Sequence, residues 1–441
     1  MRKMKDSGVA WIGEIPEEWE TLPLARVIKE RVSGNWGSEP TPARDNIICI
    51  RVADFDFSKF SLLDKSEYTQ RGYKKNETLS MLTFGDILFE KSGGGQTTPV
   101  GRVIFFDKNM EATHSNFIDK LRVHENYSNK FIFYYILISY LTTYSNMYIK
   151  QTTGIQNFDL TNFLAKERIC LPQLPEQHRI ASYLDTKCAE IDRSMELVRQ
   201  GIDKLKEYKK SVITEAVTKG LDPAAPMKDS GVPWIGEIPQ HWKCCHIKHF
   251  GDITGGTGFP LEYQGKIGEI YPFYKVSDLS LSPDGKFMTT PNNSISAETA
   301  RLIHAKIIRK NSIVYAKIGA ALLLNRRRII LQDSIIDNNM SAFTPNNDIN
   351  LDWCFYLFTA LDFSIFIYPG TVPSFSEGNQ AEIKVPLPPK GMQDNIAAYL
   401  DAKCAEIDTL ITQKQVLLDK LAEYKKSLIF ECVTGKREVA A

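Results

Sequence analysis

The chain has 441 residues, 43% hydrophobic and 24% charged, with 54 Lys and Arg against 53 Asp and Glu. This is the composition of an ordinary folded protein, about three times the ~150 residues typical of one domain. A net charge of +1 excludes a uniformly basic, histone-like binder and an acidic disordered chain, while leaving room for local basic patches.

The first segment has no apolar core of the kind a secretion signal needs. Its MKDSGVAWIGEIP (4–16) returns as MKDSGVPWIGEIP (227–239), identical at 12 of 13 positions at an offset of 223, and Trp19 and Trp242 keep that offset. Such a repeat governs how everything after it is read. In 21–170, the runs IICIRV, DILFEK, RVIFFD and FIDKLRV predict strands, being branched or aromatic and bounded by Gly, Asn and Asp. FIFYYILISYL (131–141) predicts a buried helix, as does the apolar part of 353–367. Both are short of the ~20 residues of a membrane span.

Residues 176–219 predict one long helix, with Pro175 at its start and Gly220 and Pro223 beyond its end. Apolar residues recur at spacings of three and four, including Leu184, Ile191, Val198, Leu205 and Tyr208, the seam of a coiled coil. The nine basic and eight acidic residues of this segment make a solvated face, not a DNA-binding stripe. IASYLDTKCAEID (180–192) returns as IAAYLDAKCAEID (396–408), 11 of 13 identical at an offset of 216. The second seam runs through Leu400, Ile407, Leu418, Leu421 and Tyr424. About 43 residues at ~1.5 Å rise make a helix of roughly 65 Å, which needs a partner along its length. An antiparallel pair of the two repeats is the expectation; packing of each helix on its own domain is the alternative.

The fold class is therefore α+β. Two α+β domains in pseudo-twofold repeat are separated by two long helices forming an antiparallel coiled coil. The expected boundaries are 1–170, 171–222, 223–386 and 387–441. Between the near-identical blocks the copies diverge, yet ICIRVADF faces PFYKVSDL, setting Arg51 against Lys275 and Asp54 against Asp278. GDILFEKSGGG faces NSIVYAKIGAA, setting Lys91 against Lys317, and QTTGIQNF faces YPGTVPSF.

Catalytic signatures are missing. No phosphate loop occurs, since Gly265-Lys266 runs on into Ile267, and no GxGxxG follows a strand. Asp86 and Glu90-Lys91 look loosely like a nuclease cluster, but the second copy has Ser312 and Ala316-Lys317 there. HWKCCHIKH (241–249) is unmatched in the first copy and lacks a distant second ligand pair, so ordinary thiols and imidazoles on a strand are expected rather than zinc. Eight cysteines without a CxxC pair predict reduced thiols and a cytoplasmic protein.

What remains is binding. Lys91, Ser92, Gly93, Gln96 and Thr97 follow a strand, where glycines allow close backbone approach and the side chains can donate to phosphates and base edges. Gln156 and Asn157 have the same character, and either can bond adenine twice. The second copy offers Lys317, Arg326, Arg327 and Arg328 without an intervening acid, then Ser374 and Gln380. Arg51 and Lys275 complete the candidate DNA-contacting set.

WIGEIPxxW, GDILFEKSG, TGIQNF and LPxLPEQHRIASYLDTKCAEID followed by a long coil together resemble the specificity subunit of a type I restriction–modification system. The resemblance runs through both halves; the second copy departs from it with TVPSF for TGIQN and PKGMQ for PEQHR. It implies a non-catalytic chain whose two domains each read one half of a bipartite site on double-stranded DNA across an unspecified gap. It further implies that the paired helices space the domains and dock two methyltransferase subunits. S-adenosylmethionine, ATP and Mg would act in those subunits and in a separate restriction/translocase subunit, with no cofactor or metal in this chain and no membrane partner. The competing expectation is a coiled-coil scaffold whose domains bind protein or small molecules.

Overall fold

The structure, a computed structural model, describes every residue except 1, 96, 152–153, 368–371 and 441. Two compact units form: Met1–Gln200 with Lys414–Ala441, and Gly201–Gln413. These divisions fall inside the long helices, not at their ends, because each half-helix packs within a different unit. Four helices organise the chain: α1 (Asn129–Leu141), α2 (Leu174–Lys219), α3 (Leu351–Ala360) and α4 (Lys390–Val433).

In the first unit a four-stranded antiparallel sheet runs in the order Val103–Phe105, Ile87–Glu90, Ile118–Val123, Ile28–Ser33. The alternation of side chains along a strand divides this sheet between two cores. Ile87, Phe89, Val103, Phe105 and Leu121 join α1 on one side, while Leu88, Ile104 and Ile118 join Ile50 and Phe55 on the other. Both faces are covered, which is why these strands read as continuous apolar runs. A three-stranded sheet carries Asp45–Ile50 between Gln70–Tyr73 and a parallel Ala112–His114.

The second unit repeats this plan despite its divergent sequence. Its sheet runs Gly251–Gly255, Met340–Pro345, Ile313–Ala316, Arg327–Ile330, with Phe287–Met288 added at the edge. Ile313, Tyr315, Ile329 and Phe343 face one core; Val314, Ala316, Ile330 and Ala342 face the other. Tyr271–Tyr274 again lies between an antiparallel and a parallel neighbour.

Each α+β domain is fastened to a long helix by the same bonds. Ser128 and Asn350 cap α1 and α3, and their own N–H groups donate to Gln177 and Gln393 at 2.9 and 2.8 Å. Those glutamines, both buried, donate in turn to the carbonyls of Pro172 and Pro388. Tyr134 donates to Asp185 and Tyr356 to Asp401, both at 2.7 Å. The structure thus pairs Gln177 with Gln393 at the 216 offset, which corrects the alignment of PEQHR with PKGMQ by two residues.

The long helices pair antiparallel. In the first unit Lys425 meets Asp192; in the second Lys209 meets Asp408. Leu184, Ile191, Leu400, Ile407 and Leu418 are buried, and Val198, Leu205 and Leu421 half-buried. Tyr208 and Tyr424, expected in the seam, are instead half exposed to solvent. Both helices stop at glycines with positive φ, Gly220 at 79° and Gly435 at 71°, a backbone conformation that costs a side chain-bearing residue energy. Among the described residues no helix is long and apolar enough to cross a membrane.

Candidate nucleic-acid interface

The two loop types singled out by sequence come together in both units, and they do so through the same backbone bonds. Phe158 N–H donates to the Lys91 carbonyl at 2.8 Å, and Phe375 N–H donates to the Lys317 carbonyl at 2.9 Å. Ser92 and Gly93 pair with Asn157 and Gln156, closing a small sheet with the hairpin Ile149–Gln151 and Gln156–Phe158. In the second unit Ile318 bridges Ser374, and Gly319 N–H reaches Pro373 O at 2.8 Å. Phe158 and Phe375 are buried in the cores and anchor the residues next to them. Gly93, with φ 126°, sits where a side chain would be strained.

The candidate side chains divide into three groups. Thr97, Asn157, Arg326 and Ser374 are exposed and able to meet a partner, and Ser92 is half-buried and bonded to Asn157. Gln96 lies outside the described residues. The lysines and two of the arginines are occupied. Lys91 holds Asp119 at 2.8 Å and Ser33 at 2.6 Å, Lys317 holds Glu377, and Arg51 grips the buried Asp54. Burial alone would raise the Asp119 carboxyl, but Lys91, Ser33 and Arg31 outweigh it and hold it below its ordinary value. Lys275 donates to Gln264 at 3.0 Å, while its backbone N–H is capped by Asp278 as that of Arg51 is by Asp54. Arg328 is half-buried and donates to the Arg327 carbonyl.

Three candidates are buried and bonded within the protein. Arg327 is 2% exposed and donates to the carbonyls of Phe358 and Leu361 at 3.2 Å, groups left unpaired where α3 ends. Its guanidinium lies 4.0 Å from the Phe363 ring, and burial lowers its pKa to about 10. Gln380 accepts from the Tyr315 hydroxyl and donates to the Phe375 carbonyl, holding Phe375 from inside. Gln156 accepts from Val100 N–H at 3.1 Å and so secures the glycine loop rather than reaching outward.

The ties Gln177, Gln393, Tyr134 and Tyr356 were missed by sequence reading; the 216 offset of the two glutamines was the available signal. Cys244 and Cys245 lie half-buried on a strand, and His246 faces Glu382. Among the described residues no three His, Cys, Asp or Glu side chains gather as metal ligands.

A family profile described as the type I restriction modification DNA specificity domain matches residues 57–207 and 239–419, more than half of the chain. The chain is 24% identical to a Methanocaldococcus jannaschii protein assigned as the MjaX specificity subunit of a type I restriction enzyme, over 97% of this chain and 96% of that one. It is 25% identical to the MjaVIII specificity subunit of the same organism, over 65% and 66%. In fold it is similar to a chain solved for complex assembly and conformational transition of the type I R-M system, with TM-score 0.73 at 15% identity, covering 96% of this chain and 99% of that one. The HsdS subunit from Thermoanaerobacter tengcongensis is similar over 96% and 98%, with TM-score 0.52 at 15% identity. Repeated recognition domains, long helices and family profile agree: the chain belongs to the type I restriction–modification DNA specificity family.

Proposed function

We propose that this chain is the DNA-reading subunit of a type I restriction–modification complex, each domain reading one half of a bipartite, asymmetric site. The observation that carries this reading is the shared placement of two loops by one bond, Phe158 to Lys91 and Phe375 to Lys317, with different residues at their tips. A common scaffold with divergent side chains is what two readers of different sequences require, because base edges are distinguished by the side chains that meet them. Among the described residues Lys91, Lys317 and Arg51 are held by acids of the chain itself. Much of the phosphate grip therefore falls to the assembled complex.

Two methyltransferase subunits dock on the long helices, whose exposed Leu197, Tyr208, Leu410, Val416, Leu417 and Tyr424 offer apolar surface beyond the seam. Adenine methylation with S-adenosylmethionine belongs to those partners, and ATP- and Mg-dependent translocation and cleavage to a restriction subunit; this chain supplies recognition. Methylome sequencing of a host carrying the chain with its methyltransferase is expected to show a split adenine motif. Exchanging residues 21–170 for another domain should change one half-site only. Active partners without a split motif would overturn the reading.

A further inference from the structure

Gln156 and Gln380 point inward, so the segments that end at Phe158 and Phe375 must present other side chains to a base. In the first unit Ile155, three residues before Phe158, is 52% exposed. In the second, Val372 stands three residues before Phe375 and is 60% exposed. The equivalence is set by geometry as well as by alignment, since Phe158 and Phe375 make the same bond to a strand-end lysine carbonyl. Gln156-Asn157 answers Pro373-Ser374, so the neighbouring side chains differ in kind, yet each copy keeps a β-branched aliphatic residue facing solvent.

We propose that Ile155 and Val372 are specificity-determining residues, each making an apolar contact with a thymine methyl group in the major groove of its own half-site. The inference rests on the DNA-reading function above and deepens it. The thymine methyl is the one apolar feature on a base edge in that groove. A short branched side chain matches it by contact without needing a donor or acceptor. Flanking groups that do hydrogen-bond, Asn157 in one copy and Ser374 in the other, then read the polar edges next to it.

The test uses the complete complex of this chain with its methyltransferase and duplexes carrying the motif that complex methylates. Replacing every thymine of one half-site with deoxyuridine removes only methyl groups. The wild-type complex is expected to lose roughly fourfold in affinity for each such duplex, the effect of burying about one methyl group. With Ile155→Ala, the loss at the first half-site should vanish while that at the second persists, and Val372→Ala should do the reverse. Ile155→Val, one methylene shorter, should show a reduced loss even where the alanine variant binds too weakly to measure. No loss in the wild type, or an undiminished loss in the variants, overturns the inference while leaving the DNA-reading function intact. A wild-type complex with no sequence-specific site would instead bring down the function itself.

Discussion

The Lys425 ammonium donates to both carboxylate oxygens of Asp192, at 2.7 and 2.8 Å, across the two long helices. Its counterpart Lys209 holds Asp408 at 2.6 and 2.7 Å. Each lysine is the other's equivalent at the 216 offset, and so is each aspartate.

The two bonds differ in worth because they differ in burial. Lys425 has 8% of its side chain exposed and also caps the Ser58 carbonyl, whereas Lys209 and Asp408 are 29% and 51% exposed. Lys425→Ala should therefore cost about 2–3 kcal/mol in denaturant unfolding, chiefly by stranding Asp192. Lys209→Ala should cost under about 1 kcal/mol, as solvent-screened pairs do.

Gln177 joins a recognition domain to its helix through one carbonyl oxygen and one amide. Gln177→Ala leaves the Ser128 N–H and the Pro172 carbonyl without partners in a dry site, a loss of about 1–3 kcal/mol. Gln393→Ala should behave alike. Thermal unfolding followed by intrinsic fluorescence reads both, and wild-type stability in either variant would refute the tie.

Arg326 and Arg327 are neighbours with opposite fates. Arg326→Ala should leave stability unchanged and lower the salt slope of DNA binding by about 1 if its guanidinium meets a phosphate. Arg327→Ala should destabilise the second unit by roughly 3 kcal/mol, since it removes packing against Phe363 and orphans the end of α3. Salt-dependent binding and unfolding, measured on both variants, separate the two roles.

His114 supplies a pH dependence. Burial, against the pull of the Ile118 carbonyl, lowers its pKa to about 4 from an ordinary 6.5. Below 6.5 the unfolded chain takes up a proton that the native ring refuses, so stability falls as pH drops from 6.5 toward 4, by up to roughly 3 kcal/mol. Above 6.5 the contribution is complete and flat. In His114→Gln the unfolding free energy should change less steeply with pH inside that window.

How much of this was legible beforehand depended on the range of the interactions involved. The repeat, the strands around Ile87–Glu90 and the long helices with their terminal glycines follow from local pattern, and all are present. The roles of Arg327 and Gln156 were not legible. Their partners lie 31 and 56 residues away, and a run of arginines carries no mark of which one turns inward. Tyr208 and Tyr424 satisfied the seam spacing, but spacing defines a stripe and not how much of it the facing helix covers. The register of Gln393 was obscured by prolines, which invite alignment at Pro175 and Pro389 when the bonds align Pro172 with Pro388.

Gln177 and Gln393 grasp Ser128 and Asn350 by their peptide N–H groups, and a peptide N–H is common to every residue but proline. The socket is therefore indifferent to the identity of what it holds. A recognition domain can exchange its cap residue, and much else besides, without losing its seat on the helix. Target preference can drift or be swapped wholesale while the frame that carries it stays constant.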